Sequence, residues 1–182
     1  MGREEVLHTC CFTGHRPGKL DVPEAEVRAW LGEQARFALR DGYTTFITGC
    51  AMGVDIWAGE AVLELKAQNP AVRLVAAVPW PGMADRWDRE WRDRYRELLR
   101  RADEVVTVSG HYHRYVYLMR NTWMVDRSSR LIAWYNGLRG GTGNTVRYAE
   151  MRGLEVVRWE MPDPLEGVRR GGDWAPEAQN NG

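Results

Sequence analysis

Arg130–Glu150, RLIAWYNGLRGGTGNTVRYAE, is the stretch on which the fold reading turns. Leu131–Tyr135 is an unbroken apolar run, the pattern of a strand buried on both faces. Gly140, Gly141 and Gly143 follow, with Thr142, Asn144 and Thr145 between and after them, and Val146–Arg152 reads as a helix. A glycine turn between strand and helix lets backbone N–H groups approach an anion with no Cβ in the way. The helix N-terminus adds partial positive charge. This junction is a candidate phosphate cradle, to which Thr142, Asn144 and Thr145 can add hydroxyl or amide donors; the alternative is an ordinary tight turn.

A similar junction occurs upstream at Thr48–Asp55, TGCAMGVD. No Gly-Lys-Ser/Thr follows it, so it is not a P-loop, and it is not GxGxxG. Gly49 suits a sharp exit from a strand, and Gly53 suits close approach to a ligand. Asp55 would repel a phosphate. It suits either the positive end of a helix or the hydroxyls of a ribose.

Working outward, strands and helices alternate. Strands are expected at His8–Thr13, Tyr43–Thr48, Val72–Val78, Asp103–Val108, Leu131–Tyr135 and Leu154–Trp159. Helices are expected at Pro23–Arg40, Gly53–Gln68, Ala84–Arg101, Tyr115–Arg127 and Val146–Arg152. The strands are mostly continuous apolar runs, which indicates a single doubly wound, mainly parallel sheet with helices on both faces. Ligands of such α/β folds bind outside the carboxyl ends of the strands, at the switch point. The loops that matter are therefore Gly14–Leu20, Gly49–Asp55, Pro79–Met83, Ser109–Arg114 and Gly137–Thr145. Residues 1–160 form one domain, and 161–182, rich in Pro, Gly, Asn and Glu, are expected to be a poorly ordered tail.

The bulk composition narrows the function. In 182 residues, 25 Lys and Arg balance 25 Asp and Glu. Zero net charge argues against a generic nucleic-acid coat or a binder of anionic membranes. All the basic residues but Lys19 and Lys66 are Arg, the better bidentate partner for phosphate, although a genomic bias gives the same count. No apolar run is long enough for a membrane helix, and no signal peptide precedes the first strand. Cys10, Cys11 and Cys50 read as reduced thiols of a cytoplasmic protein. His111 and His113 have no Cys or carboxylate cluster at metal-ligand spacing, so no metal is expected.

Three further ligand candidates sit in loops or just before a strand. Gly14-His15-Arg16 follows the first strand. Arg16 can clamp a phosphate, and His15 can titrate near neutral pH. Trp80, in Pro79-Trp80-Pro81-Gly82, is a candidate to stack on a base. Arg120 could reach a ligand from its helix.

Together, CCFTGHRPGKL (Cys10–Leu20), ITGCAMGVDIWAGE (Ile47–Glu60), RNTWMVDRSSRLIAWYNG (Arg120–Gly137) and GGTGNTVRYA (Gly140–Ala149) resemble the YpsA-like branch of the SLOG superfamily, which is bacterial or phage-borne. The resemblance implies a Rossmann-like fold related to DNA-processing protein A and to the LOG phosphoribohydrolases. It also implies that Gly53, Asp55 and the Gly140–Thr145 turn line a nucleotide pocket. Some SLOG domains sense ADP-ribose-type nucleotides in phage defence. The chain departs from LOG enzymes, which follow their PGGxGT turn with a glutamate. Here Val146 and Arg147 follow Thr145, and Glu150 comes a turn later.

The expected function is binding of ADP-ribose or a nucleoside phosphate, with no further cofactor. N-glycosidic hydrolysis of nucleoside 5′-monophosphates or NAD-type substrates is the first alternative, with Asp55 or Glu60 as acid–base groups. Single-stranded DNA binding is the second. Self-association is compatible with the many tryptophans.

Overall fold

The computed structural model of the chain describes residues 2–160 apart from 21 and 138; the expected tail at 161–182 lies outside the described residues. Six parallel strands form one sheet: β1 (Thr9–Gly14), β2 (Thr45–Thr48), β3 (Arg73–Val78), β4 (Glu104–Thr107), β5 (Arg130–Trp134) and β6 (Glu155–Arg158). The helices are α1 (Arg3–Leu7), α2 (Glu24–Arg40), α3 (Val54–Gln68), α4 (Arg89–Arg101), α5 (Val116–Val125) and α6 (Gly141–Met151). The fold is α/β and Rossmann-like, as the alternating pattern required.

The sheet order is β4-β3-β2-β1-β5-β6. The chain winds outward from β1 through β4, then returns to place β5 on the other side of β1. Cys11 thus sits between Ile47 of β2 and Leu131 of β5. That reversal at β1 and β5 is the topological switch point.

Alternate residues of each strand feed two cores. Cys10, Phe12, Phe46, Leu74, Ile132 and Trp134 pack against α2, α3 and α4 through residues such as Leu31, Ile56 and Leu98. Cys11, Ile47, Val75 and Leu131 pack against α5 and α6 through Met124, Val125, Val146 and Ala149. Tyr117, near the start of α5, packs against the first cluster instead, so this helix contacts both cores.

Three elements differ from expectation. Helix α1 is missing from the sequence reading; its five residues bury none of their side chains, so they carry no apolar stripe to detect. Helix α4 starts five residues later than expected, because the Asp88 side chain accepts a hydrogen bond from Trp91 N–H at 3.0 Å and caps it. Helix α6 starts five residues earlier, at Gly141, so the glycine turn is its first turn. Gly143 is small there for packing: a Cβ would lie 2.8 Å from the Tyr135 hydroxyl.

No helix among the described residues is long and apolar enough to cross a membrane. The three cysteines are buried and unbridged, and burial pushes the Cys11 thiol up to about 12, which makes it unreactive at neutral pH.

At the end of β5, Trp134 is 2% exposed and is held by two other indoles. Trp159 stacks on it at 4.2 Å between ring centroids, and Trp30 meets it edge-on at 5.4 Å. Trp134→Ala is predicted to cost about 3–5 kcal/mol, the range for losing a large aromatic from a packed core. The shift of the urea unfolding midpoint measures it.

Candidate functional site

The turn after β2 is built around a missing side chain. The Gly49 backbone leaves room for the Arg120 guanidinium, which lies where a Cβ would be; that Cβ would also come within 2.6 Å of Asp55 Oδ2. Cys50 follows with φ 61°, and among the described residues no other non-glycine residue has positive φ. Such strain in a buried turn persists only where the surroundings fix it. Gly53, at φ 91°, then lets the β1 loop lie close, since a Cβ would meet the His15 carbonyl oxygen at 2.8 Å. The Val54 N–H donates to that same carbonyl at 3.4 Å.

Asp55, in the first turn of α3, pairs with Arg120 of α5. Arg120 Nη1 donates to Asp55 Oδ2 at 3.0 Å, and both side chains are almost wholly buried. The Ala51 N–H donates to the same oxygen at 3.3 Å. Burial pushes the Asp55 carboxyl above its ordinary range, and Arg120 pulls it part of the way back.

Over this pair lies a pocket of about 700 Å³, at the switch point. Its walls are Thr13 and Gly14 at the end of β1, His15, Arg16, Gly18 and Lys19 after it, Ala51 and Met52 after β2, and Arg139–Thr142 after β5, with Tyr117, Arg120 and Asn121 of α5. Arg16, Lys19 and Arg139 have no carboxylate partner among the described residues, and Asp55 is the acidic residue in the lining. The N-terminus of α6 has no side-chain cap. Its Thr142 hydroxyl instead donates to the Gly14 carbonyl at 3.0 Å, tying the two loops together.

The structure brings together Gly14, His15, Arg16, Asp55, Arg120, Gly140, Gly141 and Thr142 in this lining. Gly49 and Gly53 shape the turn beneath it. The remaining candidates lie outside the lining. Gly143 and Asn144 are further along α6, while the Thr145 hydroxyl donates to the Gly141 carbonyl at 2.9 Å and accepts from Asn121 Nδ2 at 2.7 Å. Trp80 packs edge-on against Tyr117. Glu60 is held between α2 and α4 by Arg28 at 2.8 Å and Arg94 at 2.7 Å. Lys19, Met52, Tyr117, Asn121 and Arg139 were not singled out from sequence. Tyr117, Arg120 and Asn121 stand at helical spacing on one face, a signal that was present but has the look of an ordinary packed face. Among the described residues no group of His, Cys, Asp or Glu is placed to hold a metal ion.

The family model described as the YspA SLOG family (YpsA) matches residues 10–152, which contain both glycine junctions and the α5 face. The chain belongs to the YpsA SLOG family. Among similar proteins, the uncharacterized SPbeta prophage-derived protein YoqJ of Bacillus subtilis (strain 168) is 30% identical over 65% of this chain and 77% of its own length. A UPF0398 protein of Bacillus thuringiensis (strain Al Hakam) is 25% identical over 84% of this chain and 88% of its own. Among solved structures, DNA processing protein A from Streptococcus pneumoniae shares the fold with a TM-score of 0.61 at 16% identity, covering 91% of this chain. This SLOG chain spans about half of that protein, 54% of its length. DNA processing protein A from Helicobacter pylori, described for its single-stranded DNA binding mode, has a TM-score of 0.60 at 16% identity over 92% of this chain and 74% of its own.

The buried pair has a pH signature. With its pKa raised, Asp55 holds a proton more tightly in the folded chain than in the unfolded one. Its contribution is therefore most favourable below the ordinary aspartate range and is lost as pH rises through the folded value. Removing Arg120 widens the gap. Arg120→Met is predicted to cost about 3–5 kcal/mol at neutral pH, as for a buried charge left without its partner. The deficit should shrink as the pH falls and Asp55 takes up a proton. Urea titrations of both proteins from neutral pH downward measure it.

Proposed function

We propose that the chain binds a nucleotide-type ligand, ADP-ribose or a nucleoside phosphate, in the pocket at the β1/β5 switch point. The observation that carries the reading is the convergence of Arg16, Lys19 and Arg139, none with a carboxylate partner among the described residues, on the uncapped N-terminus of α6. Cations and backbone N–H groups aimed at one space are the chemistry of a phosphate site. Asp55 adds the second requirement of a nucleotide. Both hydrogen bonds to its carboxylate go to Oδ2, which leaves Oδ1 to accept from a ribose hydroxyl.

The same geometry favours holding the ligand over cleaving it. Asp55 is engaged by Arg120, and Glu60 is committed to Arg28 and Arg94 away from the pocket. Neither stands as a free acid–base group beside the cradle. Hydrolysis is tested by incubating the protein with AMP or NAD and looking for free base by chromatography. Product that disappears in Asp55→Asn would replace the binding reading with an enzymatic one.

Isothermal titration with AMP, ADP, ADP-ribose and NAD tests binding. At least one should bind, and Arg16→Ala should weaken it by about tenfold to a hundredfold, the range for a hydrogen bond to a charged group. No heat with any of them, in folded protein, sinks the proposal. A second reading, single-stranded DNA binding, is supported by the fold shared with the Helicobacter pylori protein. It predicts a gel shift of an oligonucleotide that weakens steeply with salt and that excess AMP leaves untouched.

A further inference from the structure

We propose that Tyr117 is the seat of the ligand's aromatic base, so that a nucleoside phosphate lies along the strand ends with its phosphates at β5 and β1 and its base toward β3. The proposal rests on the nucleotide reading above and adds an orientation and a residue that selects for a base.

Helix α5 offers three side chains to the pocket from one face: Tyr117, Arg120 and Asn121. Two of them are already engaged. Arg120 is bound to Asp55, and Asn121 donates to Thr145. Tyr117 makes no hydrogen bond among the described residues; its partners are aromatic. Trp80 meets it edge-on, with ring centroids 5.2 Å apart and planes at 83°. Trp80 is in turn braced by Tyr112 at 5.0 Å. Tyr117 is half-buried and lines the pocket, so the part of its ring that Trp80 and the core do not cover can meet a planar ligand. Met52, whose thioether adapts to an aromatic surface, lines the same pocket. Trp80, the residue that sequence suggests for stacking, is thus the support of the stacking residue.

The sheet order sets the direction. Arg16, Lys19, Arg139 and the α6 N-terminus come from the loops after β1 and β5, whereas the Trp80 brace comes from the loop after β3. The strands β5, β1, β2 and β3 are successive neighbours. Three spacings between them amount to about 14 Å. An extended nucleoside phosphate has that reach, with Asp55, after β2, beside its ribose. A sugar phosphate without a base would fill only the cationic end.

The test compares AMP with ribose 5-phosphate, which carries the same phosphate and no base, by isothermal titration. Wild type should bind AMP more tightly. Tyr117→Ala and Tyr117→Leu should each weaken AMP by about tenfold to a hundredfold, the range for losing one base–aromatic stack. Both should leave ribose 5-phosphate within about twofold, and Tyr117→Phe should leave both ligands unchanged. Tyr117→Leu keeps apolar bulk, so a loss there reports the missing ring face and not a collapsed pocket. Equal binding of AMP and ribose 5-phosphate by wild type overturns the base seat and leaves the phosphate cradle standing. So does an equal loss of both ligands in the Leu variant. Failure of wild type to bind either ligand overturns the seat and the cradle together.

Discussion

The rest of this molecule depends on one buried ion pair. Asp55 starts a helix on one side of the sheet, and Arg120 belongs to a helix whose later residues pack on the other side. Taking both charges out of water is costly, and their attraction, with the Ala51 amide serving the same carboxylate, offsets part of that cost. Space for the guanidinium exists because residue 49 has no side chain. Gly49 is thus a consequence of the guanidinium in the floor of the pocket, while Gly53 admits the loop after β1 on the other side of the same turn.

That floor explains how the pocket can gather cations without collapsing. The acid below it is neutralised by a residue that cannot leave without exposing a buried charge. The outer arginines and the lysine are then available to whatever enters. The α6 N-terminus is held in place by Thr142, whose hydroxyl bonds to the β1 loop and does not cap its own helix. The two sides of the pocket are thus joined through a side chain, and the first turn of α6 is left without a side-chain cap.

The architecture was legible because parallel strands buried on both faces read as apolar runs, and glycine junctions mark where they end. Asp55 and Arg120 could each be picked out, but their pairing could not. They are far apart in sequence, and nothing local says that one answers the other. The early start of α6 was hidden because three glycines look like a loop, when one of them is small to admit Tyr135. Tyr117 was missed for a related reason. An aromatic residue on an apolar helix face reads as core, and only the rings around it distinguish a wall from a filler. Trp80 drew attention through its proline neighbours, which report a turn and not what the ring faces.

The placement of β1 has a kinetic consequence. Its first neighbour, β2, arrives after one helix, but its other neighbour is β5, and Cys10 pairs with Arg130 across most of the described residues. Closing so long a loop costs entropy before any contact repays it, which puts the chain among the slow-folding, non-local topologies. The loops that line the pocket lie on the two sides of that seam. The pocket is therefore completed only when β5 and the start of α6 have been synthesised and docked beside β1.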